Sequence, residues 1–198
     1  MAELILYLAS ILFLVLVLKR LPPRVPERVL EQSEAKEEAG ENQAEIKEEG
    51  KEERADKVAE EGKFKTAERL YLDLILQNPQ EARLYNKLGL VYLKEKAYKD
   101  AREALQQALT IEPDNDTFYN NLGLVAYEEG NFDEAAQSYE KSIEINNSIS
   151  SRFVNLGLAY YMQKKYRKAA DAFEQALILE PANEEYKKLL RDAEEKLK

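Results

Sequence analysis

Three patterns of apolar and polar positions divide the 198-residue chain. From Leu4 to Leu18 no charge interrupts a run of mostly large aliphatic residues. A helix made from it would be apolar on every side and would need complete enclosure as a core element. From Glu31 to Gly50 the pattern reverses: Glu, Lys, Gln and Ala dominate, and Ile46 is the one large aliphatic. Such a stretch buries too little apolar area to offset the entropy of ordering it. Beyond it, apolar residues recur at intervals of three and four, over 82–95 and again over 98–111. That spacing predicts two amphipathic helices joined by a tight turn.

The helical pattern itself repeats. Gly89, Gly123 and Gly157 stand 34 residues apart, each inside Leu-Gly-Leu. The same step links Ala101, Ala135 and Ala169, and it links Leu105, Tyr139 and Phe173. Tyr85, Tyr119 and Phe153 keep the interval, as do Tyr98, Phe132 and Tyr166, and Pro113, Asn147 and Pro181. A fixed period of this length marks stacked units, none of which buries its apolar face alone. A glycine inside a helix costs about 1 kcal/mol against alanine. It is tolerable where a second helix crosses so closely that a Cβ would collide, and Ala101, Ala135 and Ala169 are the small residues expected opposite. Gly62 and Gly130 sit where turns between helices call for positive φ.

These residues resemble the tetratricopeptide repeat, which has an aromatic at repeat position 4, Leu-Gly at 7 and 8, Ala at 20, an aromatic or Leu at 24, a small residue at 27 and Pro at 32. In that register the full repeats run 82–115, 116–149 and 150–183. A degenerate unit covers 48–81: Phe64, Ala67, Tyr71 and Pro79 are in place, but Lys51, Arg54 and Ala55 replace the aromatic, Leu and Gly of its first helix, which predicts a frayed or polar cap. Residues 184–198 read as a charged capping helix with Tyr186, Leu189, Leu190 and Leu197 on one side. The resemblance implies an all-α superhelix, an α-solenoid of helix-turn-helix units. Asn147 stands where Pro is expected, so Asn146-Asn147 is expected to end its helix in left-handed geometry.

The resemblance also implies that the first helix of each repeat lines a concave groove and that positions 2, 5, 6, 9, 12 and 13 contact a peptide. The partner-binding residues expected on that ground are Arg83, Asn86, Lys87, Leu90 and Lys94 in the first repeat. The second gives Asn120, Asn121, Leu124 and Tyr127, and the third Asn155, Leu158, Tyr161 and Met162. Asparagine offers both donor and acceptor for an extended backbone; Leu, Tyr and Met offer an apolar floor for side-chain anchors. Leu90, Leu124 and Leu158 serve equally well in packing between repeats, whereas Asn121 and Asn155 read as ligand contacts. The dicarboxylate clamp by which some relatives hold chaperone C-termini is matched only at Asn121. The basic trio Arg83, Lys87 and Lys94 beside an acidic tether raises a further expectation, that the tether competes for the first part of the groove.

Composition narrows the chemistry. The chain has no Cys, His or Trp, so histidine-based triads, the usual zinc ligand sets, haem and iron–sulfur clusters are excluded. No constellation of acid, base and pocket emerges either. The expectation is a non-enzyme without cofactor or metal. A net charge of −9 runs against binding a phosphate backbone, which depends on an excess of Lys and Arg, so no nucleic-acid partner is expected. Residues 27–63 alone hold 14 acidic and 7 basic side chains.

The apolar run is followed by Lys19, Arg20, Arg24 and Arg28. Fifteen residues cover roughly 22 Å of a ~30 Å hydrocarbon core, and extending to 1–21 with Lys19 and Arg20 snorkelling makes a single-pass anchor. A cleaved signal peptide would need basic residues before the run and a small-x-small site after it; neither is present. The basic flank keeps its own side cytoplasmic, with the N-terminus out and the repeats in the cytoplasm. Pro22, Pro23 and Pro26 break any helix leaving the membrane, and 22–50 reads as a Pro-rich, then acidic, linker. The functional expectation is a membrane-anchored adaptor or scaffold that binds a protein or peptide partner. The alternative is a self-assembling homo-oligomeric scaffold whose array ends stack.

Overall fold

Apolar residues at three and four along each half of the repeat give helices with one buried stripe, and pairing those stripes makes the hairpins of the structure. The computed structural model describes residues 48–198, with side chains from residue 50 onward. The expected membrane anchor, 1–21, and nearly all of the linker lie outside the described residues. No helix among the described residues is long and apolar enough to cross a membrane.

The described residues form an all-helical solenoid of nine helices with no strand: α1 (Glu48–Glu60), α2 (Phe64–Gln77), α3 (Ala82–Lys94), α4 (Tyr98–Ile111), α5 (Asp116–Glu128), α6 (Phe132–Ile145), α7 (Ser150–Met162), α8 (Tyr166–Leu179) and α9 (Glu184–Glu195). Each helix packs on the one before and the one after, and α3 touches α5, as α5 touches α7. The odd-numbered helices therefore share one face.

Within each full repeat the helices cross at the glycine. A Cβ on Gly89 would lie 2.9 Å from Cγ of Leu105, and one on Gly123 would lie 2.7 Å from Cδ1 of Tyr139. On Gly157 it would fall against the ring of Phe173. The nearest atoms thus belong to the large residue at repeat position 24, with only the backbone oxygen of Ala101 contributing from the small position expected there. The void left by the missing Cβ is filled by a fully buried Leu, Tyr or Phe.

The turns inside the hairpins fall at a left-handed residue every 34 positions: Gly62 (φ 75°), Lys96 (φ 60°), Gly130 (φ 87°) and Lys164 (φ 61°). Between α6 and α7 the expected left-handed ending does not occur. Asn146 is extended (φ −146°), and its side chain does the work instead: Oδ1 accepts from Ser148 N at 3.1 Å while Nδ2 donates to Asp116 Oδ2 at 3.1 Å. An Asx turn, the local alternative that asparagine offers a backbone, replaces the strained geometry.

Candidate concave groove

Neighbouring odd helices are joined across their shared face by a ladder of polar rungs at a constant offset of 35 residues. Lys87 Nζ lies 2.8 Å from Glu52 Oε1, Asn121 Nδ2 donates to Asn86 Oδ1 at 2.7 Å, and Asn155 Nδ2 donates to Asn120 Oδ1 at 3.1 Å. In repeat terms, position 6 of one unit donates to position 5 of the unit before it. At the next place the pair is Val154 and Leu189, both partly buried apolar residues.

Asn121 and Asn155 therefore join repeats, a role the sequence reading did not give them. Asn86 and Asn121 are 9% and 8% exposed. Neither Asn86 Nδ2 nor Asn121 Oδ1 has a partner among the described residues, yet the one fully buried unpaired side-chain atom there is Gln163 Oε1. Those amide atoms are therefore not sealed from solvent, one a donor and the other an acceptor. Beside the rungs Leu90, Leu124 and Leu158 are half-buried, Lys94 is exposed, and Met162 is 47% exposed. Tyr127 and Tyr161 lean edge-on against Phe132 and Tyr166, with centroids 5.3 and 5.2 Å apart. This edge-to-face geometry fixes both rings.

The first junction is charged. Arg83 is held by Glu52 and lies 3.5 Å from Glu81, and Lys87 Nζ also reaches Asp56 Oδ2 at 2.6 Å. Asp56 in addition accepts a hydrogen bond from Tyr71. Partial burial pushes Glu52 and Asp56 up, but hydrogen bonds from Lys87, with Arg83 and Tyr71 respectively, outweigh it and hold both carboxyls below the usual range. Burial lowers Lys87 as well, and its two carboxylate partners reverse that, leaving it raised. Next to this network lies an open cavity of about 450 Å³ floored by Ala59, Phe64, Leu90 and Val91, with Glu60 and Lys94 among the residues that line it. Thus two of the three cations in the expected basic patch are already matched by α1. The sequence reading missed Glu52 and Asp56, although the 35-residue offset from Glu52 to Lys87, the same as from Asn86 to Asn121, was available to find the first. No His, Cys, Asp or Glu cluster suited to a metal occurs among the described residues.

Stacked helical hairpins with a shared, partly apolar inner face define a helical-repeat solenoid. The tetratricopeptide-repeat model matches residues 80–148 and 114–177, and this region belongs to that family. Among solved structures, the fold is similar to that of pilF of Pseudomonas aeruginosa, with TM-score 0.67 and 24% identity over 74% of this chain and 67% of that one. It is also similar to MamA, with TM-score 0.62 and 22% identity over 76% of this chain and 87% of that one. A third similar structure is the first tetratricopeptide domain of Spaghetti bound to the HSP90 peptide SRMEEVD, with TM-score 0.57 and 24% identity over 60% of this chain and 94% of that one. No curated protein matches the chain in sequence.

Proposed function

We propose that the array binds an extended peptide or protein segment in its concave groove and that residues 1–21 anchor it to a membrane, with the repeats on the cytoplasmic side. Tetratricopeptide repeats are generally interaction modules rather than catalysts, and the Spaghetti domain is seen with a peptide bound. The observation that carries the reading is the pairing of unsatisfied amide atoms on Asn86 and Asn121 with the accessible apolar residues Leu124, Leu158 and Met162 along one face. Polar groups that fix a backbone beside apolar places for its side chains make a peptide site.

End-to-end stacking into a homo-oligomeric scaffold has less to support it. The exposed residues of the last helix, α9, are all charged: Glu184, Glu185, Lys188, Arg191, Glu194 and Glu195. A charged end suits a solenoid that stops.

The test is crosslinking and capture from native membranes with Leu124→Arg and Leu158→Arg, which alter half-buried groove residues without touching the rungs. Partners lost in both variants support the groove; capture identical to wild type sinks it. Protease access in sealed vesicles decides sidedness, because repeats protected in right-side-out vesicles and cut in inverted ones match the cytoplasmic assignment.

A further inference from the structure

We propose that Glu52 and Asp56 of α1 act as built-in substitutes for an acidic ligand, so that the groove refuses anionic segments and takes uncharged, apolar-anchored ones. The inference rests on the groove being the partner site and assigns the charge of the partner.

The groove positions offer Arg83, Lys87 and Lys94. Arg83 is held by Glu52 with Glu81 nearby, and Lys87 sits between Glu52 at 2.8 Å and Asp56 at 2.6 Å. An incoming carboxylate has to displace carboxylates that are already in place and attached to the same fold. The cavity lining sets Asp56 and Glu60 against Lys87 and Lys94, so it offers an anion no net positive charge, and like charge brought together at an interface is the usual way of rejecting a wrong partner.

A second line comes from the ladder. At the next two junctions a neutral amide pair fills the same two repeat positions, at 2.7 and 3.1 Å. Stacking therefore does not require charge there. What the charged rung adds at the first junction is neutralisation of Arg83 and Lys87, two of the three cations that would otherwise face the groove. Further along, the groove residues of the second and third full repeats include Glu128 and no Lys or Arg. A segment lying over them meets amides, Leu124, Leu158 and Met162, which favour a neutral backbone with apolar side chains.

The test measures anisotropy of a fluorescein-labelled SRMEEVD peptide against the full chain in a non-ionic detergent. Its control carries the same label and has Glu and Asp replaced by their amides and an amidated C-terminus, so that the two differ only in those carboxylates. Wild type is expected to bind the acidic peptide no more tightly than this control. Glu52→Gln combined with Asp56→Asn should tighten the acidic peptide alone by about tenfold, the scale of one charge-assisted hydrogen bond. That gain should weaken with added salt and vanish when Lys87→Ala is added. A wild-type preference for the acidic peptide overturns the proposal, as does a doubly substituted chain of unchanged helicity that gains nothing. Should the double variant lose helicity, Asp56→Asn alone carries the test on the same terms, with a smaller gain expected and no gain counting against the proposal. Either failure leaves the groove reading standing, since that depends on Leu124 and Leu158 and not on charge.

Discussion

The junction between α1 and α3 and the two junctions after it meet the same requirement with different chemistry. Each must satisfy a polar pair between adjacent helices on a face that remains partly open. Between α3 and α5, and between α5 and α7, an amide pair fills the two rung positions, and the second of these junctions also carries a buried ion pair of Arg152 with Asp116. The first junction uses four ionised groups, Glu52, Asp56, Arg83 and Lys87, with Glu81 and Tyr71 at the margin. Amide rungs ignore pH and salt, whereas ion pairs at a partly exposed site give little net stability and respond to both. The rung of the first hairpin is therefore conditional, whereas the rungs of the next two junctions are fixed.

The comparison assumes that the full hairpins themselves are rigid, and glycine substitution tests that first. Gly157→Ala should cost about 2 kcal/mol, because the new Cβ falls against the buried Phe173 ring and overpacking outweighs a helix-propensity gain of about 1 kcal/mol. Gly89→Ala should cost less, since Leu105 Cγ would be 2.9 Å away and its side chain can turn more readily than a ring. Denaturant midpoints of the two variants give the order. Equal midpoints would mean that the crossing is looser than described.

Next come the rungs. Asn121→Ala strands Asn86 Oδ1 at a site 9% exposed and should cost about 1 to 2 kcal/mol. Asn155→Ala should cost less, because its partner Asn120 is only half-buried. Glu52→Gln should cost under about 1 kcal/mol: Lys87 keeps Asp56, Arg83 keeps Glu81, and both pairs are partly solvated. An effect of Glu52→Gln larger than that of Asn121→Ala would reverse the ranking of the two kinds of junction.

Acid sharpens the contrast. Glu52 and Asp56 have folded-state pKa values below their ordinary 4.5 and 3.8. A depressed carboxyl pKa adds stability that is complete above the unfolded value and disappears as pH falls through the folded one. Lys87, raised above 10.5, adds stability that disappears only as pH rises through its folded value. Hydrogen exchange in α1 should thus accelerate when pH drops below about 4, after correction for intrinsic rates. Exchange at the Asn86–Asn121 rung should not follow it, since nothing in that pair titrates. Uniform acceleration across both regions would show that the first hairpin is not a separate unit.

How much of this was legible in the sequence follows from where the determinants lie. The period of 34 placed Gly89, Gly123 and Gly157 and hence the hairpins, because a Cβ collision is a local demand that leaves the same mark in every unit. The groove residues are an expectation from the resemblance, and the amide rungs were not foreseen: Asn121 meets Asn86 only once two helices are stacked, and no single helix shows that pairing. Glu52 and Asp56 were hidden for a further reason. Their helix lacks the aromatic, Leu and Gly of the pattern, so it read as a frayed or polar cap, while its polar residues are matched to Arg83 and Lys87 across the junction. The ending at Asn146 was misread because asparagine has two ways of closing a helix, and a side-chain turn to Ser148 prevailed over a left-handed backbone.

The turns supply the smallest effect, and they test whether the conditional character of the first hairpin lies in its junction or in its own loop. All four turns inside the described hairpins place a residue at positive φ, two with glycine and two with lysine. Lysine there carries the steric penalty of a Cβ in left-handed geometry, partly offset by the smaller entropy it loses on folding. Lys96→Gly and Lys164→Gly should therefore each stabilise the array by only about 0.5 kcal/mol, read as a small rise in denaturation midpoint. The first turn already has Gly62, with nothing within 4 Å of where a Cβ would be, so Gly62→Lys should cost a similar small amount through strain alone. If Gly62→Lys instead releases α1 as acid does, the loop controls the first hairpin and the charged rung does not.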